Sequence, residues 1–247
     1  MGKFIKMKNI VLLVVFVLGI VFMQFVQAQS VDDIINKYIE ARGGKDKLLA
    51  ITSLYMEGSR QMMGNEVGVK VTIVQDKLYR NDFEFGGKTG YSIITPTEGW
   101  NYVPMRSDKV DPIPQEALKN LQSQLDIAGP LLNYKVKGWV PEFQGKETIE
   151  GKEAYKIKLT SGTGKELTYY IDSKTYLLVQ TRQMAMARGN TPAQEIITNF
   201  SDYKSFDGIL FPQTVANPGA GMMGGSTTYD TIIINKAVDE SQYKPSK

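Results

Sequence analysis

Val67-Gly68-Val69-Lys70-Val71-Thr72-Ile73 places a β-branched residue at every second position, with glycine, lysine and threonine between them. That period of two belongs to a strand with one face buried and one exposed. The same period runs outward from it. Tyr79, Phe83 and Phe85 share a face opposite Leu78, Arg80, Asp82 and Glu84. Tyr91 and Ile93 share another, as do Trp100 and Tyr102. Gly64-Asn65, Asp76-Lys77, Gly86-Gly87 and Glu98-Gly99 separate these runs and read as turns.

The pattern resumes further along. Tyr155, Ile157 and Leu159 alternate with lysines, Gly162-Thr163-Gly164 turns the chain, and Leu167, Tyr169 and Ile171 return it. Asp172–Lys174 turns into Tyr176–Val179, followed by Glu195–Tyr203, a turn at Asp207-Gly208, Ile209–Val215 and Thr227–Ile234. About ten to twelve strands at this spacing predict one large, strongly curved antiparallel sheet.

Two helical segments interrupt it. Ser30 reads as an N-cap with Asp32 and Asp33 in the first turn, followed by the apolar stripe Val31, Ile34, Ile35, Tyr38 and Ile39. Gly43-Gly44 ends that helix, and Lys45–Ala50 adds a short further turn. Pro112 and Pro114 break the strand pattern, and a helix begins near Gln115 with Leu118, Leu121, Leu125 and Ala128 along one side, stopped by Gly129-Pro130. Both helices are expected on the concave face of the sheet.

The N-terminus has a different character. Lys3, Lys6 and Lys8 precede an apolar run from Ile10 to Val26, and Val26-Gln27-Ala28 supplies small residues. This is the order of an export signal, and the run is slightly short of the ~20 residues of a membrane span. Cleavage after Ala28 is expected over an uncleaved anchor, giving a signal peptide over 1–28, a single domain over 29–247 and a periplasmic location. The leader removes three of 29 basic residues and none of 26 acidic ones, so the mature chain is balanced. It has no basic excess for nucleic acid.

The chain contains no cysteine and no histidine. That removes thiol chemistry, disulfides, Cys/His zinc sites and every His-dependent nucleophile arrangement. No catalytic residue, metal or cofactor is expected. Met62-Met63, Met184, Met186 and Met222-Met223 lie near turns or strand ends. They suit flexible packing, a promiscuous apolar site or, less readily without His or Cys, Cu(I). Gly219–Gly225 reads as a loop at the mouth of the sheet.

Several local patterns resemble the LolA/LolB-like family of periplasmic outer-membrane lipoprotein carriers. One is Asp33-Ile34-Ile35 … Tyr38-Ile39-Glu40-Ala41 … Gly43-Gly44 … Leu48 … Ile51 … Ser53-Leu54. Glu98-Gly99-Trp100-Asn101-Tyr102 is similar to the family's Gly-x-x-Trp-x-Tyr strand with one spacer fewer. Tyr170-Ile171-Asp172 … Thr175-Tyr176-Leu177 and Phe200-Ser201-Asp202-Tyr203 … Asp207-Gly208-Ile209 … Phe211-Pro212 complete the resemblance. It implies an open half-barrel with a helical lid that holds lipoprotein acyl chains or other apolar cargo. It implies no catalysis, a monomer, and exchange with lipoprotein-handling proteins of the inner and outer membranes. On this reading Val69, Val71, Ile73, Tyr79, Phe83, Trp100, Tyr102 and Tyr169 line the cavity, and Leu118, Leu121 and Leu125 close it. The family's lid-latching arginine falls on Gln75, so the latch is missing or is replaced by Arg80 or Arg60. A sensing module on the same fold and a carboxylate-based hydrolase are the rival functions. The bland reading makes the leucine stripe and the aromatics plain core.

Overall fold

The alternating run becomes β2 (Asn65–Val74), hairpinned between β1 (Ser53–Met62) and β3 (Leu78–Phe85) in a computed structural model that describes residues 30–62, 64–184, 193–218 and 224–246. The stretch expected to be an export signal, Met63, Met186, Met222-Met223 and residues 219–223 of the expected mouth loop lie outside the described residues. The meander continues through β4 (Lys88–Ile94), β5 (Gly99–Tyr102) and β6 (Asp111–Pro112). After a helical interlude come β7 (Trp139–Ile149), β8 (Lys152–Ser161), β9 (Glu166–Asp172), β10 (Leu178–Met184), β11 (Glu195–Phe206), β12 (Ile209–Asn217) and β13 (Gly225–Ile234).

All 13 strands form one antiparallel sheet, in the order β6-β5-β4-β3-β2-β1-β13-β12-β11-β10-β9-β8-β7. The last strand pairs with the first, so β13 joins the two meanders. The sheet stays open, with β6 and β7 as its edges. It is the expected architecture with one strand more than the expected range. Pro112 and Pro141 both sit on those edge strands, where a missing N–H breaks no inner ladder. Ile113 N still donates to Gly99 O at 2.8 Å.

Register assigns each side chain to a face, because directly opposed residues of an antiparallel pair point the same way. Leu54, Met56 and Arg60 oppose Ile73, Val71 and Val67, and Val69 and Ile73 oppose Phe83 and Tyr79. Tyr79 opposes Ile94, which opposes Gly99. This is the inner face. Trp100 opposes Ile93 and Tyr102 opposes Tyr91, one residue out of phase with that row. Trp100 and Tyr102 are therefore on the outer face, away from Tyr79 and Phe83.

The helices cover the inner face as expected. α1 (Val31–Ala41) buries Ile34, Ile35, Tyr38 and Ile39 in a core that includes Val71, Ile73, Ile157, Leu159 and Phe211. Gly43 ends it at φ 125°, and a Cβ there would press on the backbone of Gly208 and Ile209. Glycine thus serves both the turn and the close approach. α2 (Lys45–Leu49) follows. α3 (Gln115–Leu121) continues as a 3-10 turn, Gln122–Leu125, and packs Leu118 and Leu125 on Ile94 and Ile113. A Cβ on Gly99 would lie 2.9 Å from Ile113 and 3.0 Å from Leu118, so the glycine of the aromatic strand admits α3.

The outer face has its own cover. Leu78, Tyr91 and Ile93 are buried there with Trp100 and Tyr102 under Val238 and Tyr243 of the C-terminal segment. Arg80 Nη1 donates to Gln242 O at 3.2 Å, and Tyr91 OH donates to Ser246 O at 3.1 Å. None of the described helices is long and apolar enough to cross a membrane.

Candidate functional site

The candidate site grows from the inner face where the two meanders meet. Leu54 and Met56 of β1, Ile73 of β2 and Tyr229 of β13 form part of its floor. Tyr169 of β9, Leu178 of β10, Phe200 and Tyr203 of β11, and Phe211 and Val215 of β12 extend it. The roof is Tyr38 and Arg42 at the end of α1, with Ile127, Ala128 and Gly129 from the segment after the 3-10 turn. These groups line a half-open cavity of about 290 Å³. Small-molecule sites run from about 300 Å³ upward, so the closed form has little room.

A cavity of about 710 Å³ lies beside it and shares Phe200 and Tyr203. It is the weaker candidate despite its size. Its walls are the β9–β10 turn and the Ser201-Asp202 stretch of β11, with Lys152, Glu153 and Lys174. Its most buried acid, Asp172, is committed to the turn and accepts from Lys174 N at 2.9 Å and Thr175 N at 2.7 Å.

The roof is tied down at a few points. Ile127 N donates to Gln75 Oε1 at 2.9 Å, and Asp76 N donates to Leu125 O at 3.0 Å. Arg42 Nη1 donates to Ala128 O at 3.2 Å. Gln75, the position where the resemblance expects an arginine, thus holds the roof through its amide oxygen. Arg80 does not replace it. It lies on the outer face, paired with Asp82 at 2.7 Å. Arg60 faces inward near Tyr79 and Tyr229, whose pKa values are raised by burial and only partly drawn back by the Arg60 charge.

Arg42 is 8% exposed. Its Nη1 also donates to Tyr38 OH at 3.2 Å, and its guanidinium sits 5.6 Å from the Phe211 ring centre and 5.8 Å from that of Tyr38. Burial by itself would lower its pKa, but Tyr38, Tyr203 and Tyr169 hold it above the usual arginine value. The group is therefore charged. Burial pushes the phenols of Tyr169 and Tyr203 strongly upward, so both stay neutral.

Of the residues singled out in the sequence, Ile73 and Tyr169 line this cavity. Val69, Val71, Tyr79 and Phe83 share its face, further along β2 and β3. Leu118, Leu121 and Leu125 cover the neighbouring stretch over Ile94 and Ile113 without lining the cavity. Trp100 and Tyr102 are outer-face core, because the Thr95–Glu98 turn sets their phase. Arg42 was missed. The signal was present, since Arg42 stands four residues after Tyr38 and extends the buried stripe of Ile34, Ile35 and Tyr38. Among the described residues no cluster of three or more His, Cys, Asp or Glu could hold a metal.

No protein-family model and no curated protein sequence matches this chain. Its fold matches solved structures at low identity. A LolA superfamily protein from Nitrosomonas europaea aligns with a TM-score of 0.55 and 10% identity, over 88% of this chain and 99% of that one. A domain named for outer membrane lipoprotein sorting, from Vibrio parahaemolyticus, aligns at 0.50 with 12% identity, over 85% and 94%. A DUF1329 family protein from Desulfovibrio piger aligns at 0.50 with 13% identity, over 87% and 97%. The chain shares the fold of these structures, one open antiparallel sheet with a helical cover.

Proposed function

We propose that this chain is a non-catalytic binder and carrier of acyl chains or other apolar cargo in the periplasm, with lipoprotein acyl chains as the leading class. The observation that carries this reading is the apolar cavity held between the inner face and its helical cover. An acyl chain of about 15 methylenes, at ~0.8 kcal/mol each, is disfavoured in water by on the order of 12 kcal/mol. It needs a concavity to cross an aqueous compartment. The cover opposes this with the hydrogen bonds at Gln75, Asp76 and Arg42, those of Gln115 and Gln122 to the Thr97 and Thr95 carbonyls, those of Lys165 to Asn120 and Ser123, and the burial of Leu118 and Leu125. Entering cargo would exchange part of that cover for its own apolar contacts. The fold's likeness to a lipoprotein-sorting domain supports the same reading, as does the export-signal pattern read in the N-terminal sequence.

The test is binding of a neutral naphthylamine probe to the purified full chain. Val215 opposes Phe200 and lines the cavity, so Val215→Trp fills it without adding charge. Saturable binding that falls at least tenfold in a folded Val215→Trp protein is expected. Probe affinity unchanged by the substitution would place binding elsewhere. Transfer of a lipoprotein between two membrane preparations then separates a carrier from a fixed binder.

A further inference from the structure

Arg42 is an unusual wall for an apolar cavity. It is 8% exposed, and no described Asp or Glu lies within ion-pair distance of it. Its two side-chain hydrogen bonds both leave from Nη1 and both reach neutral acceptors, Tyr38 OH and Ala128 O. The Nε and Nη2 donors form the other edge of the guanidinium, and among the described residues they draw no hydrogen bond.

A buried cation is costly without a counter-charge. The position at the end of α1 favours it through the helix dipole, and the Tyr38 and Phe211 rings add to that. These groups stabilise the charge without neutralising it. The acid carried by the roof, Asp126, pairs with Lys137 through Oδ2 at 2.6 Å, while its buried Oδ1 draws no hydrogen bond from the described residues and acts on Tyr169. A further donor stands nearby. The Tyr169 hydroxyl lines the same cavity and draws no hydrogen bond from the described residues.

We propose that Arg42 receives the head of the ligand, and that the ligand is a single-chain amphiphile with a carboxylate. The free Nε–Nη2 edge is a planar two-donor fork that matches a carboxylate. A cavity of 290 Å³ suits one chain rather than two. With the head at Arg42, the chain runs along Leu54, Met56 and Ile73. This rests on the apolar-binding reading above and, within it, selects a free fatty-acid-like ligand over the ester- and amide-linked chains of a lipoprotein, which offer Arg42 no carboxylate.

The experiment displaces the neutral probe from delipidated full-length protein with hexadecanoate, its methyl ester and hexadecyl phosphate. Hexadecanoate should displace the probe at a concentration about tenfold below the ester. Arg42→Gln should bring the acid to the level of the ester, and Arg42→Lys should keep part of the difference. Equal potency of acid and ester on the natural chain would overturn the proposal while leaving apolar binding intact. So would a preference for the acid that survives in Arg42→Gln. Should Arg42→Gln not fold, the acid-to-ester ratio on the natural chain decides alone. Tighter displacement by the phosphate than by hexadecanoate overturns the carboxylate assignment. Probe binding that no amphiphile displaces removes the underlying reading as well.

Discussion

The two faces of the sheet each hold an arginine among aromatic rings, Arg42 buried and Arg80 half-buried, and the two are treated differently. On the outer face Arg80 lies 5.2 Å from the Tyr91 ring centre, and its Nε and Nη2 contact Asp82 at 2.7 to 3.0 Å. A backbone carbonyl of the C-terminal segment takes a further bond. Arg182, above Tyr170, likewise reaches Glu147 at 3.4 Å. On the inner face Arg42 meets rings, a phenol and a carbonyl, but no described acid. A charge whose partner is built into the chain stabilises the fold. A charge left facing a cavity asks for a partner from outside.

The largest effect should come from breaking the outer pair. Asp82→Ala leaves Arg80, with a 12% exposed side chain, without its acid, and should cost about 3 kcal/mol in urea unfolding. Arg42→Met strands no acid and loses two bonds to neutral groups, so it should cost at most about 2 kcal/mol. If Arg42→Met destabilises the protein as much as Asp82→Ala does, Arg42 is a structural tie and the contrast disappears.

Alkali should sharpen the contrast next. Burial raises the pKa of Tyr169, Tyr203 and Tyr229 on the inner side. A phenol whose folded pKa lies above its unfolded value of about 10 contributes fully below pH 10. As the pH rises further the unfolded chain ionises while the folded one does not, and stability falls. Each such tyrosine steepens the fall by up to about 1.4 kcal/mol per pH unit. Tyr229→Phe should flatten the slope between pH 10 and 11.5 by about one proton, as read from denaturation midpoints. An unchanged slope would mean that the inner phenols ionise freely. The acid limb belongs instead to carboxylates such as Glu57. Hydrogen bonds from Tyr55 and Lys70 lower its pKa, so its contribution is lost as the pH falls through that depressed value.

The smallest effect locates the cavity wall. Leu121 is partly buried beside Ile94 and Ile113 and does not line the cavity. Leu121→Glu should loosen the roof and weaken probe binding about threefold, roughly 0.7 kcal/mol, with the circular dichroism spectrum unchanged. A loss as large as that of Val215→Trp would move the wall to α3.

The unevenness of the sequence reading follows from the range of each signal. Tyr79 and Phe83 were read correctly as sharing a face, because alternation is a property of neighbouring residues. Grouping Trp100 and Tyr102 with them failed, because the phase between strands depends on how many residues each turn absorbs. Gly99, the residue of that strand on the inner face, has no side chain to announce itself. Arg42 carried the helical spacing of the buried stripe, but a charged residue after a helix ordinarily reads as solvated.

The sequence by itself determined the strand and helix periods, the turns that punctuate them, the helical cover and the absence of His and Cys chemistry. All of these are local or compositional. Tertiary structure alone decided which face of each strand points inward, which loop roofs the cavity, and that Arg42 is buried with no described acid beside it. Those features join residues far apart in the chain, such as Arg42 to Ala128 and β1 to β13. Face and burial are set by register and packing across such distances, and no single stretch of the chain encodes them.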